Sequence, residues 1–149
     1  MYTIGQVSEM FALPASTLRY YDKEGLFPSM KRNSGARQFD EASLETLQVI
    51  NCLKLSGLEI KDIKKFIEWC AEGSATYEKR RELFLEQREA VLEEMERMQK
   101  TLALILFKCW YYEQAIADGN EERITAMLPD KLPPEIQALY DQGHGKALS

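Results

Sequence analysis

Three features of the sequence predict a mainly α-helical fold, an N-terminal winged helix-turn-helix followed by a long coiled-coil dimerisation helix. Apolar residues recur at helical spacing on either side of a short break at Ala12-Leu13. A turn signal, Asn33-Ser34-Gly35, then separates two short segments suited to a hairpin. Further along, apolar side chains return every seven residues over roughly forty positions, the pattern of a helix that packs along a partner. The predicted domains are 1–73 for the winged helix-turn-helix head, 74–118 for the long helix and 119–149 for a short helical tail.

The first helix opens on Thr3-Ile4-Gly5-Gln6, a capping box in which a hydroxyl cap is answered by Gln three residues later. Ile4, Val7 and Phe11 follow at core spacing, so this helix runs to about Phe11. Pro14 is expected at the first position of the next helix, where its missing N–H has no intrahelical partner in any case. From Thr17 to Leu26, Leu18 and Tyr21 fall on one face, while Ser16, Arg19, Tyr20 and Lys23 project from the other. Gly25 supplies the left-handed exit that ends the helix. A free face of hydroxyl, guanidinium, phenol and ammonium groups suits a phosphate-lined groove, where cations neutralise phosphates and hydroxyls donate to them. The same residues also suit an ordinary amphipathic helix with a solvated face. The preceding helix and tight turn favour the first reading, because helix, turn and helix is the unit that lays its second helix in a DNA major groove.

Thr3-Ile4-Gly5, Thr17-Leu18-Arg19-Tyr20-Tyr21-Asp22, Gly25-Leu26, Pro28, Arg32, Gly35, Arg37 and Phe39 together resemble the N-terminal winged helix-turn-helix of the MerR family of bacterial transcription regulators. The similarity covers roughly the first half of the chain, and the Thr-Leu-Arg-Tyr-Tyr run followed by Gly-Leu is its most specific part. Two residues depart from the family pattern. Ala12 stands where Gly is usual, at a strain of about 1 kcal/mol for a non-Gly residue held at positive φ, and Ala36 stands where a larger wing residue is common. The resemblance implies double-stranded promoter DNA as the partner, with Arg19 and Tyr20 at base edges or nearby phosphates and Ser16, Thr17, Tyr21, Lys23, Arg32 and Arg37 mainly on the backbone. It also implies a homodimer on a palindromic site, distortion of the DNA between promoter elements, and action through RNA polymerase.

The 149-residue chain has a net charge of −5, which at first argues against nucleic acid. Its first 39 residues, however, set Arg19, Lys23, Lys31, Arg32 and Arg37 against Glu9, Asp22 and Glu24, a surplus of two positive charges. The local patch is what DNA meets, since salt screens exposed charges beyond about 10 Å. No signal peptide and no membrane-length apolar run is present, so the sequence predicts a cytoplasmic protein without a membrane partner. Cys52, Cys70 and Cys109 are too widely spaced for a disulfide framework. With no phosphate-binding glycine loop and no clustered ligands, neither an enzyme nor a metal or other cofactor is expected, and the single His144 lies in the tail.

Asp40 caps a helix whose buried side is predicted as Leu44, Leu47, Ile50 and Leu55 and which ends at Gly57. A second helix-turn-helix follows. Ile60, Ile63 and Ile67 are spaced for the core, Glu59 is a weak cap where the family usually has Ser, and Lys61, Lys64 and Lys65 belong to solvated faces. From about Thr76 to Ile116 a single helix is predicted. Phe84, Val91, Met98, Ile105 and Tyr112 recur every seven residues; Met95, Leu102, Cys109 and Ile116 continue the second series, which Arg88 interrupts. Glu93 with Arg97 and Glu96 with Lys100 are favourable i,i+4 pairs. A helix about 60 Å long cannot bury such a stripe on a small head, and the tail is too short to cover it. The resemblance makes the partner the same helix of a second subunit, antiparallel, with Val91, Met95, Met98, Leu102, Ile105, Cys109, Tyr112 and Ile116 as the dimerisation seam.

Beyond Asp118-Gly119-Asn120 the sequence predicts a short helical stretch to about Leu128, a joint at Pro129, Pro133 and Pro134, a short turn near Glu135 to Tyr140, and a frayed end from Gly143. This leaves no room for the separate effector domain of larger family members. The surroundings of Cys52, with the segment from Phe107 to Glu113, are similar to a MerR subgroup that responds to aldehydes and other electrophiles through one cysteine. Modifying a thiolate there changes volume and charge in a packed helix; a lone Cys among apolar neighbours is also commonly a small buried hydrophobe. Both readings of Cys52 stand. Cys70 and Cys109 read as core or seam residues, and Trp110, Tyr111 and Tyr112 either line an aromatic pocket against the other subunit's head or simply pack. An excisionase-like architectural protein is the alternative, with a similar head and no need of a long dimerising helix.

Overall fold

The computed structural model describes residues 1–145. In chain order the elements are α1 (Ile4–Phe11), α2 (Ala15–Lys23), β1 (Lys31–Asn33), β2 (Ala36–Gln38), α3 (Glu41–Leu55), α4 (Ile60–Glu72), a 3₁₀ turn at Ser74–Thr76, α5 (Tyr77–Asp118), α6 (Glu122–Met127) and α7 (Pro134–Gly143). The mainly α fold is as predicted. Two compact units result, residues 1–90 and the chain from Val91 onward, with the division inside α5.

In the first unit, both bonds of the capping box form: Gln6 N–H donates to Thr3 Oγ1 at 3.2 Å and Thr3 N–H to Gln6 Oε1 at 2.8 Å. Ala12 takes the left-handed conformation (φ 52°), carrying the strain that glycine would avoid. Pro14 is the cap of α2, one place earlier than predicted, with Ala15 as the first helical residue. Ser34 (φ 53°) and Gly35 (φ 82°) are both left-handed, which is the two-residue turn whose twist matches a hairpin. β1 and β2 are antiparallel, and the base of this hairpin is tied to the chain start by two 2.8 Å bonds exchanged between the backbones of Tyr2 and Phe39.

Val7, Leu18, Leu26, Phe39, Leu47, Ile50, Leu53 and Ile63 are fully buried and join all the head helices around one core. Burial of each such side chain contributes roughly 1.5–3 kcal/mol before ordering entropy. Leu55, assigned to the buried side from sequence, is 89% exposed. The three-residue step from Leu44 through Leu47 and Ile50 continues to Leu53, which takes the inward place. Asp40 caps α3 by accepting Ser43 N–H at 2.8 Å, and its bonds from Ser43 hold the carboxyl below the usual range. Phe84 leaves the seven-residue series: its ring meets Phe66 edge-on at 5.4 Å and so serves the head.

In the second unit α5 has two apolar faces. Ala103, Phe107 and Tyr111, four residues apart, are buried, and Phe107 and Tyr111 form a second core with Ile124 and Leu132 beneath α6 and α7. The Phe107 ring lies 5.2 Å from Tyr140, 6.0 Å from Tyr111 and 6.3 Å from Trp110. Tyr111 donates its hydroxyl to Glu121 Oε1 at 2.6 Å; that bond, then burial, pushes the phenol up to about 12. At Gly143 a Cβ would stand 3.0 Å from the backbone nitrogen of Leu104, so α7 meets α5 backbone to backbone. The expected short turn and fraying from Gly143 are therefore corrected: α7 is a packed helix through Gly143, and residues 146–149 of the expected frayed end lie outside the described residues.

The other face of α5 is uncovered. Val91, Met95, Met98, Leu102, Ile105, Tyr112 and Ile116 range from 39% to 82% exposed, and Cys109 is exposed among them. Lys100 pairs with Glu96 at 3.7 Å as predicted, whereas Arg97 pairs with Glu94 in place of Glu93. No described helix is long and apolar enough to cross a membrane.

Candidate nucleic-acid interface

The nine residues of α2 divide cleanly between packing and display. Leu18 and Tyr21 are buried and fix the helix to the core. Ser16, Arg19, Tyr20 and Lys23, at i, i+3, i+4 and i+7, are exposed in one outward row, with Thr17 half-buried beside it. Tyr20 presents nearly half of its surface. Tyr21 does not join that row. Its ring is 6% exposed, and burial, then the neighbouring Tyr20, push its phenol pKa up. Its ring therefore anchors α2 to the core.

The wing is joined to this helix by charge. Arg37 donates through Nε to Asp22 Oδ2 at 2.6 Å, and Arg32 donates through Nη2 to the same oxygen at 3.3 Å and through Nη1 to the Gly35 carbonyl at 3.3 Å. Arg37 is mostly covered and Arg32 half exposed. Both wing arginines thus lie beside α2, but each is already engaged by a carboxylate. Lys31 pairs with Asp40 at 3.8 Å, an exposed contact worth at most about 1 kcal/mol.

One cation was missed from sequence. A side chain at Gly25 would meet Lys64 Cε at 3.6 Å, so Lys64 of α4 stands at the exit of α2 and extends the basic surface. Nothing local in the sequence pairs residue 25 with residue 64. The cysteines are all free and exposed: Cys52 on α3, Cys70 on α4 and Cys109 on the uncovered stripe. Cys70 is accordingly not a core residue. Trp110 and Tyr111 turn toward the second core while Tyr112 is exposed. Among the described residues no group of three or more His, Cys, Asp or Glu is placed to hold a metal ion.

A family model described as the MerR HTH family of regulatory proteins matches residues 2–68. An uncharacterized HTH-type transcriptional regulator of Haemophilus influenzae is 36% identical over 125 residues, 83% of this chain and 93% of that protein. Among solved structures, HiNmlR, a MerR family regulator lacking the sensor domain and bound to promoter DNA, is similar with a TM-score of 0.72 and 36% identity, covering 82% of this chain and 98% of that one. A MerR family regulator from Bacillus thuringiensis is 43% identical with a TM-score of 0.64, covering 78% and 97% of the two chains.

Proposed function

Because the chain belongs to the MerR family of helix-turn-helix transcriptional regulators, we propose that it binds a palindromic promoter site as a homodimer and controls transcription by distorting that DNA. The outward row of Ser16, Arg19, Tyr20 and Lys23 carries this reading, with the wing arginines and Lys64 set around it. The exposed stripe of α5 supports self-association through the same helix of a second copy, a surface for which an excisionase-like protein has no use. Two-fold symmetry then gives half-sites separated by whole helical turns. Distortion of the spacer requires roughly 1–6 kcal/mol by elastic estimates, which the seated heads supply and RNA polymerase reads. The protein acts by binding in the cytoplasm and turns over no substrate.

Selection from a random duplex library by the purified protein supplies the operator for the test. Arg19→Ala is expected to lower affinity for that duplex roughly tenfold or more, with the dimer intact by sedimentation. Normal retardation by this variant overturns the assignment. Exposure of the Cys52 thiol supports a switch by thiol modification. Alkylation is expected to shift operator affinity in the wild type and leave Cys52→Ser unmoved; an equal response in both removes Cys52 from the mechanism.

A further inference from the structure

Arg32 and Arg37 are direct cross-strand partners in the wing. Like charges placed directly opposite destabilise a strand pair, and a two-stranded hairpin with three-residue strands is marginal by itself in water. A carboxylate from outside the hairpin offsets both. Asp22 of α2, its side chain only 10% exposed, accepts both guanidinium groups on Oδ2, at 2.6 Å from Arg37 and 3.3 Å from Arg32. Yet a carboxylate on a surface that meets phosphates opposes binding to any DNA. Its presence there needs a gain that the repulsion does not cancel.

We infer that Asp22 is a positioning residue that sets DNA specificity, trading general affinity for a wing built in advance at a fixed place beside α2. The inference rests on the DNA-binding reading above. Holding Arg37 by Nε leaves the terminal nitrogens of a fixed guanidinium to meet a phosphate. Arg32, with the longer contact and the more exposed side chain, is the one that moves from Asp22 to a phosphate on binding. Ordering the wing beforehand removes that cost from the binding step. On a duplex where the wing cannot seat, the carboxylate only subtracts from the attraction of the two arginines.

The consequence has a distinctive sign. Removing a negative charge from the DNA-facing surface weakens binding to the right site and strengthens binding to the wrong ones. Wild-type, Asp22→Asn and Arg37→Lys dimers are titrated by fluorescence anisotropy against the duplex the wild type selects and against a scrambled duplex of equal composition, across a range of salt. For Asp22→Asn, operator affinity is expected to fall roughly tenfold while scrambled-duplex affinity rises severalfold. Arg37→Lys changes no charge, but one ammonium cannot serve Asp22 and a phosphate in the same geometry, so its ratio is expected to fall as well. Amide exchange at residues 31–38 of free Asp22→Asn is expected to quicken. If Asp22→Asn binds both duplexes more tightly by one factor, or wing exchange and the Arg37→Lys ratio match the wild type, Asp22 is a repulsive charge only and the proposal is overturned. A wild type that prefers no duplex over another removes the DNA-binding reading itself, and this proposal with it.

Discussion

Replacing Leu102 with Glu is expected to leave a monomer that no longer holds its operator. Leu102 lies at the middle of the uncovered stripe, 53% exposed in the protomer, and takes no part in the second core of Phe107, Tyr111, Ile124 and Leu132. The substitution therefore creates no clash within one copy, and Glu is well tolerated in a helix. Between two copies it places a carboxylate in a dry seam, at a desolvation cost of several kcal/mol per ion. Linked heads bind about 10²–10⁴ more tightly than single ones, so operator affinity should drop roughly 100-fold or more. Sedimentation should show one copy with its helix content unchanged by circular dichroism. A variant that still sediments as a pair and binds normally would locate the subunit contact elsewhere.

Phe107→Ala is expected to release the tail while sparing the head. The ring is 2% exposed and is touched by three aromatic neighbours, so its loss leaves a cavity that the layer of α6 and α7 is too small to close. Truncating a buried Phe costs roughly 3–5 kcal/mol, a large share of what so small a core supplies. Trypsin should then cut after Arg123 and Lys131 much faster than in the wild type, with cleavage in residues 1–73 unchanged. Equal resistance at both tail sites would show that Phe107 is not what holds this layer.

The head was legible because its signals are local. Thr3 and Gln6 declare a helix start, Gly25 and Gly57 two helix ends, and Ser34-Gly35 a tight hairpin, each within a few residues of where the structure places it. The outward row of α2 followed from spacing alone. Spacing also put Tyr21 on the packing face with Leu18, and its ring is buried there. The clamp at Asp22 and the placing of Lys64 depend on residues far apart in the chain, and no periodicity reports such pairs. The second core was hidden for another reason. Between Leu102 and Tyr112 apolar residues occur on nearly every side of α5, so a seven-residue series accounts for one face and leaves Phe107 and Tyr111 unexplained. Their partners sit in segments broken by Pro129, Pro133 and Pro134, too short to show a stripe of their own.

At Gly143, α7 and α5 come so close that a Cβ would stand 3.0 Å from the Leu104 nitrogen and 3.1 Å from its Cα and Cβ, so the neighbour would have to give by a few tenths of an ångström. A single methyl there would act as a wedge, prying at the aromatic layer without disturbing one polar group. The closeness of α7 to α5 at this point rests on a residue without a side chain, so even a small chemical change there bears on how the two helices meet.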